Sequence, residues 1–106
     1  MPPHTLETLK NWLADDSQFF SKHLGLSPEN GLDYAGIRKR FRLRNDKTVS
    51  IQQSALHYCT ADSVEMCYCP YSDLLLPYIT KPESKGQYAW VPLSVVVDYL
   101  NEQETL

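Results

Sequence analysis

The chain has 106 residues, of which 42% are hydrophobic and 22% charged, which is enough chain for one hydrophobic core and an ordinary globular composition. No apolar run approaches the roughly 20 residues of a membrane-spanning helix, and the N-terminus lacks the pattern of a secretory signal. Three cysteines without regular spacing favour reduced thiols. We therefore expect one soluble domain over residues 1–106, in the cytoplasm, with no membrane partner.

The net charge of −3 hides an uneven distribution along the chain. Residues 1–36 carry two lysines against five acids, and residues 48–106 carry two lysines against seven acids. Residues 37–47 carry six basic side chains against the single acid Asp46. The sequence therefore describes an acidic body with one basic element, and that element is the first candidate for a binding surface.

Residues 5–24 are predicted to be helical, in one helix or two. Leucines recur at spacings of three and four over the first half, and Thr5 is a suitable N-cap. The polar residues 15–17 lie where a first helix would give way to a second. Gly25 would end the helical region, and Pro28 would open a loop or a single helical turn.

The middle of the chain alternates between apolar and polar side chains, as antiparallel strands do. Turn-forming residues interrupt the alternation at 45–47 and 60–63, which predicts a meander. The three predicted strands are 37–44, 48–59 and 64–69. A helix is the alternative for residues 37–45, where Tyr34, Ile37 and Phe41 would form a short apolar stripe.

Symmetric closure of the second hairpin fixes a predicted register. The predicted cross-strand pairs are Cys59–Val64, His57–Met66 and Ala55–Tyr68. Because both faces of this hairpin would carry bulky side chains, we expect it to be central, with further elements packed on each side.

The C-terminal part is predicted to complete an α+β fold. Pro70 ends the third strand, and residues 71–79 form an irregular segment or short helical turn that covers the core. A loop over 80–86 leads to a fourth strand at 87–91. A helix follows over 92–103, with one apolar face formed by Leu93, Val96, Val97 and Leu100. The predicted architecture is a four-stranded antiparallel sheet with N-terminal and C-terminal helices packed on it.

The cysteines and His57 do not form a metal or catalytic signature. Cys67 and Cys69, with Cys59 and His57, would make a Cys₃His zinc site, but a C-x-C spacing within a strand separates the two thiolates. A Cys59–His57 nucleophile pair lacks an orienting partner and an oxyanion hole in the sequence. We expect small buried thiols, no cofactor, no metal and no enzymatic activity.

The basic element contains four arginines at a spacing of two, which we call the arginine row: Arg38, Arg40, Arg42 and Arg44. On one strand they would project from one face about 6.6–7 Å apart. Their fork-shaped donors suit the carboxylates of a partner protein or the phosphates of a nucleic acid. A charged edge strand that discourages aggregation is the structural alternative. With Tyr34 and Tyr58 as aromatic contacts, the row is the predicted partner-binding site.

Residues 50–103 resemble, in layout, small proteins carried by phages and other mobile elements. The shared features are a central hairpin, a short strand ending in Tyr-x-x-Val-Pro (Tyr88, Val91 and Pro92) and a closing amphipathic helix. Proteins of this kind include inhibitors of host defence, among them anti-CRISPR proteins. The resemblance implies a non-enzymatic inhibitor, in the host cytoplasm, that occludes a site on a host defence complex such as a CRISPR effector. The basic cluster departs from inhibitors that imitate nucleic acid with an acidic face.

Two other classes of function stay open at this point. A nucleic-acid-binding accessory protein would use the arginine row together with Tyr34, Phe41 or Tyr58, and its affinity would fall steeply with salt. An enzyme or metal protein would use His57 and Cys59. A second copy of the chain, in a homodimer, is a further candidate partner.

Overall fold

The computed structural model describes residues 3–24, 31–80 and 86–105, which form the predicted α+β fold. The helices and strands are α1 (Leu6–Ala14), β1 (Phe19–Leu24), β2 (Tyr34–Arg38), β3 (Phe41–Arg42), β4 (Thr48–Gln52), β5 (Ser63–Cys67), β6 (Tyr88–Pro92) and α2 (Leu93–Thr105). Among these described residues, neither helix has the length and apolar content needed to cross a membrane. The helix end predicted at Gly25, the turn at Pro28 and residues 81–85 of the predicted loop lie outside the described ranges.

The strands form two antiparallel sheets. One sheet has the order β3-β4-β5-β6, and the other is the β1-β2 pair. The predicted four-stranded antiparallel sheet and the N-terminal and C-terminal helices are therefore confirmed. The hydrophobic core lies between one side of the four-stranded sheet and the two helices, and its fully buried members include Val49, Ile51, Met66, Val96 and Leu100.

The first helix is shorter than predicted. Thr5 caps α1 with a reciprocal hydrogen-bond pair to Thr8. The carboxylate of Asp15 accepts the backbone N–H of Ser17 at 3.0 Å, and this local bond turns the chain out of the helix. The second helix predicted up to residue 24 is wrong, because Phe19–Leu24 pairs as β1 with β2.

Gly36 of β2 explains why the β1-β2 pair can close. A Cβ atom at this position would lie 2.5 Å from the carbonyl oxygen of Ser21 and 2.8 Å from the Phe19 ring. Only glycine allows the two strands to approach in this way. The pairing of β1 with β2, two segments separated in the chain, therefore makes residues 19–24 a strand. The local spacing of their apolar residues does not reveal this pairing.

The strand predicted over 37–44 is divided between the two sheets. β2 ends at Arg38 and pairs with β1, whereas β3 begins at Phe41 and pairs with β4. At the crossing, the backbone N–H of Lys39 donates to the carbonyl of Gln18 at 2.6 Å. The prediction of one continuous strand is therefore wrong, and so is its assumption that alternate residues share one face.

The strand predicted over 48–59 ends at Gln52, because two buried glutamine side chains take over the hydrogen bonding. The Gln52 amide accepts from the backbone N–H of Arg38 at 2.7 Å and donates to the carbonyl of Arg38 at 3.0 Å. It thus occupies the edge of β2 as a neighbouring strand would. Gln53 donates to three carbonyls, those of Thr60 and Ala61 in the following loop and that of Ser63 at the start of β5.

The hairpin register therefore differs from the predicted one. Ile51, and not His57, lies opposite Met66, and Ser50 lies opposite Cys67. Residues 53–62 form the connection between β4 and β5. The predicted pairs of Cys59, His57 and Ala55 are wrong for this reason.

The C-terminal part follows the prediction closely. The 3-10 turn Asp73–Tyr78 covers the core and buries Leu75, as expected for the segment after Pro70. β6 and α2 begin within one residue of their predicted starts. On α2, Leu93, Val96 and Leu100 are buried and Val97 is half-buried, so the predicted apolar face is confirmed.

Candidate interaction surface

The four-stranded sheet has a second side, opposite the core, that we call the outer face. Its membership follows from the register, because residues alternating with buried Val49, Ile51 and Met66 must point away from the core. The outer-face residues of β3, β4 and β5 are Arg42, Thr48, Ser50, Gln52, Glu65 and Cys67. This side is polar, but only Arg42 of these residues is exposed; Thr48, Glu65 and Cys67 are half-buried, and Ser50 and Gln52 are buried, Gln52 against Arg38 of β2. The exposed groups described next lie at the margin of this face.

Arg40 and Tyr68 form the basic side of the outer face. The Arg40 guanidinium lies 4.7 Å from the centroid of the Tyr68 ring, and Tyr68 is 72% exposed. Arg42 is exposed nearby on β3, beside Thr48. A groove of about 640 Å³ lies beside Tyr68, which lines it together with Asp46, Lys47 and Thr48. A cation and an open aromatic ring are thus presented together to solvent.

Tyr58 and Trp90 form the aromatic side of the surface, on the loop before β5 and on β6. The backbone N–H of Trp90 donates to the carbonyl of Tyr58 at 3.0 Å, and the two ring centroids lie 5.4 Å apart. The N–H of Tyr58 donates to the Glu65 carboxylate at 2.8 Å, which ties the loop to the outer face. Trp90, Tyr58 and Leu56 are 55%, 62% and 76% exposed.

Tyr68 and Trp90 share an unusual backbone conformation. Their φ angles are 49° and 50°, in the left-handed region that bulky side chains rarely adopt. Asp46 is also left-handed, at 67°, but aspartate in a turn tolerates this conformation. A β-bulge explains the position of Trp90, since β6 places an extra residue between the Val64–Val91 and Met66–Tyr88 pairs.

The arginine row does not exist as one continuous row. Arg38 is 2% exposed and its guanidinium stacks on the Phe19 ring at 4.1 Å, so it lies inside the protein. Arg44 pairs with the Glu104 carboxylate on α2. Only Arg40 and Arg42 stand exposed at the outer face, because the chain changes sheets between β2 and β3.

The two predicted tyrosines have different positions. Tyr34 is half-buried beside Phe19, and its hydroxyl accepts from Nη2 of Arg38 at 3.3 Å. Tyr58 is exposed, as a contact residue should be. Sequence reasoning missed Tyr68 and Trp90 as surface residues. The feature that distinguishes these two residues from other exposed aromatic residues is their positive φ angle, which the local sequence pattern does not reveal.

The thiols are arranged unfavourably for nucleophilic chemistry. Cys59 is 1% exposed, and burial raises the pKa of its thiol. Burial likewise raises the pKa of Cys69 to about 11. Both thiols therefore stay protonated at neutral pH, whereas a nucleophile or metal ligand needs the thiolate. The absence of enzymatic activity remains a prediction.

His57 belongs to a local hydrogen-bond network in the loop after β4. Its Nδ1 lies 2.6 Å from the Ser54 hydroxyl, and burial lowers the pKa of its imidazole. Within the described residues, histidine, cysteine, aspartate and glutamate side chains nowhere form a group of three that could hold a metal ion.

Comparison with protein-family models, with curated proteins and with solved structures finds no match to this chain. Function is therefore inferred from the physical character of the outer face and its aromatic margin.

Proposed function

We propose that this chain is a small non-enzymatic binding protein that docks a protein partner on its outer face. The observation that carries the proposal is the state of Tyr68 and Trp90. Both side chains are more than half exposed, at 72% and 55%, and both backbones are held at positive φ. Residues in such backbone conformations cost about 1–3 kcal/mol each and cluster at functional sites.

A partner that covers these rings would supply the missing burial. Tyrosine, tryptophan and arginine are the side chains that contribute most binding energy at protein interfaces. Trp90 with Tyr58 offers an apolar anchor, and Arg40 on Tyr68 offers a charged one. The arrangement of exposed aromatic groups around a polar sheet resembles the anatomy of a binding surface more than that of a core.

The charges define the chemistry of the partner. Arg40, Arg42, Lys39 and Lys47 are exposed together around β3 and its turn to β4. A complementary surface would place carboxylates opposite these groups and an apolar pocket opposite Trp90. The resemblance of residues 50–103 to mobile-element proteins supports one class of partner, a host defence complex such as a CRISPR effector. The chain would act by occluding a site on that complex.

Nucleic acid is the second candidate, because one feature favours it. Arg40 stacked on an exposed Tyr68 ring is a platform on which an unpaired base can stack while the guanidinium meets a phosphate. Asp46 lines the same groove as Tyr68 and Lys47 and opposes phosphates there. The net charge of −3 also opposes nonspecific attraction. A protein partner is therefore the stronger proposal.

The proposal is tested with two surface variants and two matched controls. Trp90→Gly removes the apolar anchor and keeps the backbone angle, and Arg40→Glu with Arg42→Glu reverses the basic side. Leu6→Ser removes an exposed leucine of α1, and Lys10→Glu reverses a charge there; both residues lie away from the outer face. Circular dichroism verifies that all variants fold.

Binding is measured first by capture from a host-cell lysate with mass spectrometry, and then by surface plasmon resonance with the purified captured protein. We expect each outer-face variant to weaken binding at least about tenfold, a loss near 1.4 kcal/mol, while the controls bind as the wild type does. Equal binding by all variants contradicts the proposal. Binding to single-stranded nucleic acid that falls steeply with salt favours the second candidate. Concentration-dependent dimerisation lost in Trp90→Gly would identify a second copy as the occupant.

A further inference from the structure

A second site lies away from the outer face, where α1 meets the β1-β2 pair. A groove of about 460 Å³ opens there, lined by Lys10 of α1, Lys22 of β1, Tyr34 and Arg38 of β2, and Gln53. The volume lies in the range of small-molecule sites in proteins. Three of these five side chains are cationic, and Asp62 is an acidic residue of the lining.

Arg38 is the buried charge of this groove. It is 2% exposed, and its guanidinium lies between two aromatic rings, 4.1 Å from Phe19 and 5.7 Å from Trp12. Nη2 donates to the Tyr34 hydroxyl at 3.3 Å. In the part of the chain that the structure describes, Nε and Nη1 have no hydrogen-bond partner.

This state of Arg38 is unusual for a buried arginine. A guanidinium carries five N–H donors, and buried charges are ordinarily paired with a carboxylate or another anion. The aromatic rings attract the cation but do not replace an anionic acceptor. Burial lowers the pKa of Arg38, although Tyr34 and Asp16 act in the other direction. The side chain is thus charged, desolvated and incompletely satisfied.

Lys22 places a second cation against the Phe19 ring. Its Nζ lies 5.2 Å from the centroid of Phe19 and 5.0 Å from that of Tyr34. Its ionic partner is Asp16, at 2.7 Å, whose side chain is 76% exposed. Lys22 and Arg38 share the Phe19 ring and both line the groove, so an anion in the groove would be attracted by both charges.

We propose that this groove binds a phosphate group, either as inorganic phosphate or as the phosphomonoester of a small molecule. Lys22 and Arg38 provide the charges. The Tyr34 hydroxyl, which donates to Oε1 of Gln53 at 3.5 Å, turns its proton from Gln53 to a phosphate oxygen. Arginine is suited to the role because its planar fork can hold two oxygens of one phosphate. The site is independent of the outer-face proposal, since none of its residues belongs to that surface.

The experiment measures binding of inorganic phosphate to the full chain by thermal unfolding and by NMR, against sodium chloride at equal ionic strength. Binding to the folded state raises Tm in a saturable way, and we expect saturation in the millimolar range. The Arg38 side-chain Nε–H resonance, identified by its loss in Arg38→Lys, should shift with the same concentration dependence. A rise in Tm no larger than that with chloride overturns the proposal.

Lys22→Gln keeps the test decisive if Arg38→Lys does not fold. Lys22 lies on the exposed strand β1, so its replacement should leave a folded protein. We expect it to weaken phosphate binding about tenfold, as the loss of one charge-assisted hydrogen bond implies. Lys47→Gln removes an equal charge from the β3-β4 turn and should bind phosphate as the wild type does. Equal weakening by both variants would mean nonspecific attraction and overturn the site.

Adenosine monophosphate and adenosine distinguish the source of the phosphate. Equal affinity for inorganic phosphate and adenosine monophosphate supports a site for the free ion. Tighter binding of adenosine monophosphate supports a phosphomonoester, with the remaining groove volume occupied by the rest of the molecule. Binding of adenosine as tight as that of its monophosphate shows that the phosphate is not recognised, and this result overturns the proposal.

Discussion

Glu104 holds Arg44 at two points. One carboxylate oxygen, Oε2, accepts the backbone N–H of Arg44 at 2.8 Å, and the other, Oε1, lies 3.4 Å from Nη1 of its guanidinium. His4 Nε2 lies 2.7 Å from the same Oε1. This carboxylate therefore joins α2 to the segment before α1 and to Arg44, two residues after the end of β3. The last arginine of the row is a structural residue for this reason.

We expect Glu104→Ala to lower the free energy of unfolding by about 1–3 kcal/mol, because it leaves a backbone donor and a cation without their acceptor. Chemical denaturation at pH 7 measures the change. Glu102→Ala does not serve as a control, since Glu102 accepts from Ser72. Arg42→Ala does, because Arg42 is exposed, and it should change stability by less than about 0.5 kcal/mol. Equal effects of the two variants would contradict the structural role of Glu104.

Leu100 tests the packing of the C-terminal helix on the sheet. Its side chain is fully buried, at 0% exposure, among the core residues of α2 and β6. Leu100→Ala should therefore cost about 2–5 kcal/mol through lost burial and a cavity. Leu56→Ala makes the same chemical change at a side chain that is 76% exposed, and should stay within about 0.5 kcal/mol. Similar losses at both sites would mean that α2 does not pack as described.

The parts of the fold that local pattern determines could be predicted from the sequence. In α2, residues three and four apart form one apolar face, and Pro92 directly before the helix marks its start. β6 is short, apolar and bounded by turn residues. Leu9 and Leu13 of α1 are buried as their spacing predicts. In each case the information lies within about a dozen residues of chain.

The parts that depend on long-range contacts could not be predicted. The spacing of Phe19 and Phe20 fits a helix, and only the pairing with β2, across Gly36, makes this segment a strand. Gln52 and Gln53 look like exposed polar positions, yet their amides are buried and replace strand hydrogen bonds. The prediction of one continuous arginine row was wrong for the same reason, because the burial of Arg38 depends on the Trp12 ring of α1 and the Phe19 ring of β1.

His57 should make stability depend on pH in the weakly acidic range. Burial lowers the pKa of His57 in the folded protein below the ordinary value of 6.5. As the pH falls through 6.5, the unfolded chain takes up the proton first, so the free energy of unfolding decreases. His57 therefore contributes its full stabilisation of the folded state above about pH 6.5. This stabilisation is lost as the pH falls from 6.5 to the pKa of His57 in the folded protein.

Urea denaturation between pH 7.5 and 5 measures this dependence. His57→Gln should flatten the decrease, since glutamine does not titrate. His23→Gln, at an exposed position of β1, is the matched control and should leave the decrease in place. An unchanged slope in His57→Gln would show that other groups govern stability in this range.

The last prediction concerns the stability of glycine and alanine variants at Trp90. The backbone angle of Trp90 should make glycine the more stable of the two, which reverses the usual order. At an ordinary exposed position, glycine is less stable than alanine by about 0.5–1 kcal/mol. At φ 50°, a Cβ atom costs about 1–2 kcal/mol that glycine avoids. Trp90→Gly should therefore be more stable than Trp90→Ala, although both lack the indole ring.

Chemical denaturation of four variants tests this reversal. Leu56→Gly and Leu56→Ala provide the comparison, because Leu56 is exposed and is absent from the residues with positive φ. We expect alanine to be the more stable residue at position 56 and glycine at position 90. Both Trp90 variants should lose partner binding to the same degree, since binding requires the ring and strain concerns the backbone. If alanine is the more stable residue at both positions, Trp90 is not strained, and its exposed ring no longer indicates a docking site.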